Sequence, residues 1–412
     1  MRIFTWMSHW SGRRLACAGL ALLTLGVLAY LVFWYVGIEG HLKAAEQALA
    51  RHDYEEARQH LDKYLATWPR DARANFLAAQ TARRLRRYAD AGEHLRVCRE
   101  RGWDPEALAI EWRLAALQRG EAEAEPELRA RAEFGDQYSL TILEVLIQFY
   151  IDTYRLHRAL ECLNRYLEQR PDDLHALLGR AFVWERFLYF ADALQDYRRA
   201  VQHHPDNDAA RLKLARALLT AGTPQEALEH FQHLQARHPD WPAVRLGIAQ
   251  SRRRLGQNDE ARRLLDELLA ERHEDADALV ERGQLALDEG ELTRAETWLR
   301  QAVQLAPHDR QANYVLHRCL LRQGKKKAAE VYRTRFERIE TNLKRLERLT
   351  RAVMKSPNDA ALRCQVGLLF LENGEEREGV RWLTQALRLD PTCQEARRAL
   401  ADHARRPGEE PR

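Results

Sequence analysis

The chain has 412 residues, of which 31% are charged and 45% hydrophobic, and its 65 basic and 61 acidic side chains leave a net charge of +4. That balance suits a foldable protein with ample charged surface. It argues against a strongly electrostatic nucleic-acid binder, which needs a concentrated basic stripe, so no nucleic acid is expected as a partner. Aromatic residues at 8%, with 20 glycines and 13 prolines, favour helices over many short strands. Cys17, Cys98, Cys162, Cys319, Cys364 and Cys393 form no CxxC pair and no haem-attachment site. The last five stand at helical positions and read as small buried hydrophobes; a disulfide stays open, because the sequence cannot pair them.

In chain order, residues 1–14 form an amino-terminal tail, and residues 15–36 carry 22 residues without a charge. That length suffices for a helix to cross roughly 30 Å of hydrocarbon. Tyr30, Trp34 and Tyr35 near its far end suit an interface. Arg13 and Arg14 ahead of it favour an amino terminus in the cytoplasm, with the rest extracytoplasmic. The stretch is too long for a cleaved signal peptide and lacks a small-x-small cleavage site after it. The expectation is a single-pass membrane protein anchored through residues 15–36.

From residue 38 onward the chain repeats. Pro69, Pro171, Pro205, Pro239 and Pro307 are separated by multiples of 34, the sign of stacked units. Units start at 38, 72, 106, 140, 174, 208, 242, 276 and 310, with a further one at 360 after a 16-residue insertion. The twentieth position is alanine in eight of these and Gly379 in the last; Glu125 alone departs. The eighth is small in seven units, the fifteenth is glycine in six, the twenty-fourth is large and apolar in eight, and the thirty-second is proline in six. Small residues at eight and twenty let two helices approach closely. Glycine at fifteen takes the positive φ that ends the first helix. A large residue at twenty-four fills the space between units, and proline at thirty-two stops the second helix.

These columns and this period resemble the tetratricopeptide repeat family, over about residues 38–393. The resemblance implies an all-α fold: a right-handed superhelical solenoid of about ten helix-turn-helix repeats, preceded here by one transmembrane helix. The array is expected over 38–343, with a degenerate unit near 106–139 in which Glu121 to Glu127 form a loose loop. A long helix is expected over 325–356, where no glycine or proline interrupts a three-four apolar spacing. Its stripe either packs on neighbouring units or forms a short coiled-coil seam. A final repeat covers 360–393, and residues 405–412 read as a disordered tail.

No phosphate loop, dinucleotide fingerprint, HExxH or GxSxG occurs, so the chain reads as a non-enzyme without cofactor or metal. His203, His204, His230 and His233 lie close in sequence but read as polar residues at helix ends. In the family the first helix of each unit lines a concave groove that meets a partner peptide. Carried onto this chain, the groove positions include Arg73, Gln80, Arg83, Arg84, Phe182, Arg186, Arg216, Gln250, Arg253, Arg254, Arg318 and Arg322. Arginine and aromatic side chains are the types that most often carry interface energy. A basic groove accepts an acidic peptide through arginine–carboxylate pairing. The Lys/Asn clamp by which some members grip a peptide carboxyl terminus is not visible. The functional expectation is therefore a membrane-anchored scaffold for other proteins or peptides. The alternative is an accessory subunit of an envelope system (cell wall, polysaccharide or cytochrome assembly) with catalysis on another chain.

Overall fold

The computed structural model describes residues 25–26 and 36–405. Among these residues there are helices and turns and no strand. The chain divides into two compact units, Met1–Val145 and Leu146–Arg412.

The first unit contains α1 (36–50), α2 (Tyr54–Thr67), α3 (Ala72–Arg84), α4 (Tyr88–Glu100) and α5 (Pro105–Gln118). A 3-10 turn at Ala122–Ala124 and the short α6 (Glu125–Ala132) follow, then α7 (Ser139–Asp152), which runs across the boundary. The expected loose loop at Glu121 to Glu127 is thus a tight turn and a helix start. Pro126 in the first turn of α6 explains this, since its fixed φ suits a helix beginning.

The second unit continues as helix pairs: α8 (Leu156–Gln169), α9 (Leu174–Arg186), α10 (Phe190–His203), α11 (Asp208–Thr220) and α12 (Pro224–Arg237). Next come α13 (Pro242–Arg254), α14 (Asn258–Glu271), α15 (Ala276–Asp288), α16 (Leu292–Leu305) and α17 (Arg310–Arg322). The 30-residue α18 (Lys326–Lys355) precedes α19 (Ala360–Glu372), α20 (Glu376–Leu389) and the closing α21 (Gln394–Ala404).

Each helix pair starts and stops for local reasons. Asp71, Asp173, Asn207, Asp275, Asp309 and Asp359 stand immediately before a first helix, and each accepts a hydrogen bond from the backbone N–H three residues on. Such caps are worth about 1 kcal/mol each. The fifteenth position has positive φ in all ten units. Glycine supplies it at 120, 222, 256, 290, 324 and 374, while His52, Arg86, Tyr154 and Leu188 adopt it with a side chain.

Packing between helices follows the columns. A Cβ added to Gly283 would lie 2.6 Å from Leu299 Cγ, so the eighth position receives the twenty-fourth of the same unit. A Cβ added to Gly179 would lie 3.4 Å from Leu163, the twenty-fourth residue of the unit before. That large side chain therefore fills the gap between consecutive first helices, and burying one contributes roughly 1.5–3 kcal/mol. In the last repeat Gly367 and Gly379 face each other so closely that a Cβ on Gly379 would meet the Gly367 carbonyl at 2.9 Å. Ala57, Ala91, Ala159, Ala193, Ala227, Ala261, Ala295 and Ala329 are all buried.

One expectation needs correction. Among the described residues no helix is long and apolar enough to cross a membrane, so the single-pass placement with extracytoplasmic repeats is not supported. The physical reason is that the helices from residue 36 onward all carry charged residues and bury apolar side chains against neighbouring helices, so none presents the uninterrupted apolar surface that a membrane requires. The segment 15–36 lies outside the described residues except at positions 25, 26 and 36, as do the tail 1–14 and residues 406–412.

Candidate functional site

The groove residues expected from the repeat pattern sit on first helices, and most of them spend their charge inside the fold. In the first unit Gln80 and Arg83 both reach forward from α3 to Glu111 on α5. Arg83 Nε donates to Glu111 at 2.7 Å, and Gln80 Nε2 at 3.2 Å. This pair is almost dry, with side-chain exposures of 1% and 4%. Arg84 donates to both Glu144 oxygens, at 2.9 and 2.5 Å, and to the Tyr54 hydroxyl. Arg73 pairs with Glu46 at 2.5 Å on the exposed surface.

In the second unit the same arrangement returns. Gln250 and Arg253 of α13 hold Glu281 of α15, at 3.4 and 2.5 Å, with the sequence offsets of 31 and 28 residues found for Gln80, Arg83 and Glu111. The thirteenth-position arginines act as caps. Arg254 donates to the Leu219 carbonyl and Arg322 to the Leu287 carbonyl, each 35 residues upstream at the end of the preceding first helix. Those carbonyls are the unsatisfied groups at a helix end, where a cation is favourable. Arg186 pairs with Glu378 at 3.0 Å and lies 4.9 Å from the centroid of the Phe182 ring.

Arg216 and Arg318 differ. Neither has an ion pair with a carboxylate among the described residues; Arg318 lies over the Tyr314 ring at 5.7 Å. Arg216 is exposed on α11, one turn from the exposed Lys213. Lys213 and Arg216 border a cavity of about 520 Å³ between the start of α10 and α11. Phe190, Ala193, Leu194 and Ala217 give it an apolar lining, with Thr220 and Glu185 also at its wall. Phe190 is 52% exposed, a large apolar surface left uncovered by its own repeat. Glu185 lies beside the buried Tyr197, whose hydroxyl is held well above its ordinary value by burial and by that carboxylate. The charge of Arg216 is felt at Asp277, whose carboxyl is raised by burial, Asp275 and Asp309 and pulled back by Arg216.

A second hollow, about 270 Å³ between α5 and α6, is lined by Ile110, Leu128 and Phe134. Its charges are already paired, Arg113 with Glu127 at 2.6 Å and Arg131 with Glu106 at 2.5 Å. The α11 cavity therefore offers what this one does not: two cations that form no ion pair among the described residues, beside an apolar surface. Lys213, Phe190 and Leu194 escaped the sequence reading, which took five positions of each first helix as groove. The signal was present in Lys213 and Arg216, two basic residues three apart on one helix without an acidic residue between them. Among the described residues no cluster of three or more His, Cys, Asp or Glu side chains could hold a metal ion.

The molecule is thus an all-helical repeat protein built from interlocking helix pairs. The model of the tetratricopeptide repeat family matches residues 42–104, 190–242 and 246–310. No curated protein matches the chain. Similar solved structures include a tetratricopeptide repeat protein from Parabacteroides merdae ATCC 43184, 18% identical, covering 69% of this chain and 98% of that one with a TM-score of 0.35. PilW, titled a widely conserved type IV pilus biogenesis factor, is 18% identical over 49% of this chain and 94% of its own, with a TM-score of 0.40. YrrB, titled a tetratricopeptide repeat protein with an unusual peptide-binding site, is 15% identical over 50% and 97%, with a TM-score of 0.28.

Proposed function

We propose that this chain is a non-catalytic scaffold that binds other proteins, and that it takes an acidic, partly apolar peptide segment against α11. Tetratricopeptide repeats mediate protein–protein interactions. The observation that carries the finer reading is the pair Lys213 and Arg216, exposed and without ion pairs among the described residues, at the edge of the α11 cavity. An apolar partner side chain would rest against Phe190, Leu194 and Ala217. Carboxylates flanking it would take charge-assisted hydrogen bonds from the two cations, which are roughly twice as strong as neutral ones. The other expected groove arginines, Arg318 excepted, support this choice by contrast, because their polar partners are already within the chain.

The test is an array of synthetic peptides, each with one Phe or Leu flanked by Glu or Asp, and matched peptides with Lys in place of the acids. The full chain should prefer the acidic set. Lys213→Glu with Arg216→Glu should weaken that preference by about tenfold or more, which corresponds to about 1.4 kcal/mol per decade. Binding of the acidic set that is unchanged by the double reversal would refute the site. No preference between the sets would refute the acidic reading.

A further inference from the structure

We infer that α20 is a clasp that closes the second unit on itself, reversibly, by docking the last repeat onto the turns of the repeats that start at 140 and 174. Trp382 is wholly buried, although packing of α20 on α19 is accomplished by Gly379, Leu383 and Ala386. Its indole meets the Tyr154 ring edge-on at 5.5 Å and the Phe187 ring at 6.1 Å, both more than 190 residues away in sequence. Glu378, one turn earlier on the same face, accepts a hydrogen bond from the Tyr154 hydroxyl and pairs with Arg186 at 3.0 Å. Gln385, three residues beyond Trp382, donates to the Thr153 carbonyl at the end of α7, and Arg388 reaches the same oxygen at 3.4 Å. Residues 378, 382, 385 and 388 are spaced as one stripe of a helix.

A second observation comes from the other side. Tyr154 occupies the fifteenth position, where six of the ten units have glycine, and it holds φ at 58°. Side chains disfavour that conformation. Nothing in the α7–α8 turn itself calls for a tyrosine; its ring and hydroxyl are spent on Trp382 and Glu378, and Arg381 lies 5.6 Å from the same ring. Leu188, the next unit's residue in this column, also departs from glycine and adjoins Phe187. The clasp is polar as well as apolar: two ionic or charge-assisted contacts, two hydrogen bonds to one carbonyl and three buried rings, those of Trp382, Tyr154 and Phe187. Contacts of this mixed kind resemble those between domains, where relative motion is the default unless the interface is large and hydrophobic. The repeats from 208 to 310 lie between the two halves of the clasp along the chain, so its opening lengthens the unit without unfolding a repeat. This holds whether or not the α11 cavity binds a peptide.

The experiment compares the full chain with Tyr154→Gly, a variant that installs the residue most units carry at that position and so spares the turn. Trp382→Ala serves as the second variant. Amide hydrogen exchange read by mass spectrometry should rise at least tenfold in α20 and in the α7–α8 turn, while α12 to α16 stay unchanged. Small-angle scattering should show a longer maximum dimension, with helical circular dichroism preserved. Unchanged exchange in α20 for both variants would overturn the clasp. Loss of helicity across α19 to α21 in Tyr154→Gly would also overturn it, because the contact would then belong to the folding of the last repeat.

Discussion

Arg83 is the expected groove residue whose role can be decided most sharply. Its guanidinium and the Glu111 carboxylate are 1% and 4% exposed and 2.7 Å apart, with Gln80 and Gln118 as further partners. Replacing Arg83 by alanine leaves Glu111 buried with its charge uncompensated. Breaking a buried pair in this way costs about 3–5 kcal/mol. Replacing both, as Arg83→Met with Glu111→Leu, removes the unpaired charge and fills the space, and should fall within about 2 kcal/mol of the parent or above it. The non-additivity should therefore be about 2–3 kcal/mol. The assay is a double-mutant cycle by urea denaturation of the full chain, followed by circular dichroism. The slope must stay constant across the four proteins, since repeat arrays can lose all-or-none unfolding. The Arg253–Glu281 pair, with exposures of 16% and 8%, should show a coupling of the same sign and about half the size. A cost below about 1 kcal/mol for Arg83→Ala, or strict additivity, would mean that the pair is not a brace between repeats.

Two further outcomes follow from local features. Arg86 is exposed and holds φ at 61°, so Arg86→Gly should stabilise by about 0.5–1 kcal/mol after allowing for the added freedom of the unfolded chain, while Gly256→Ala at φ 77° should cost about 1–2 kcal/mol; the urea midpoints report both. Burial lowers the pKa of His94, and burial with the neighbouring Arg211 lowers that of His230. Each folded value lies below the unfolded value of about 6.5, so the contribution of the neutral rings is complete above that pH and is lost as pH falls through the folded values. Melting temperature should therefore drop between about pH 7.5 and pH 5.5, and His230→Gln should reduce that drop. An equal drop in both proteins would remove His230 from the account.

The repeat was legible because its columns are local. Alanine at twenty, a small residue at eight and a large one at twenty-four specify contacts within one unit or with the next, and the structure buries them accordingly. The fifteenth column was legible in part: glycine marks the left-handed turn in six units, yet His52, Arg86, Tyr154 and Leu188 take the same conformation without advertising it. The arginines were legible as positions on first helices but not in their partners, because exposure cannot be read from position alone. A thirteenth-position arginine looks like groove surface until the carbonyl 35 residues upstream is seen to claim it. Lys213 and Phe190 were missed because a cavity depends on how far two neighbouring elements stand apart. The contact of Trp382 with Tyr154 obeys no period, so no column could contain it.

The recurring Gln–Arg–Glu brace has a consequence for how such an array can be edited. Arg253 needs a carboxylate at the sixth position of the following unit, and Glu281 supplies it. Excising residues 276–309 would bring Val315 to that place and strand the guanidinium, although the period would be kept. Excising 208–241 would leave the brace whole. Units of equal length are therefore unequal as spare parts, and duplications or deletions in this chain will be tolerated where no charge bridges the seam.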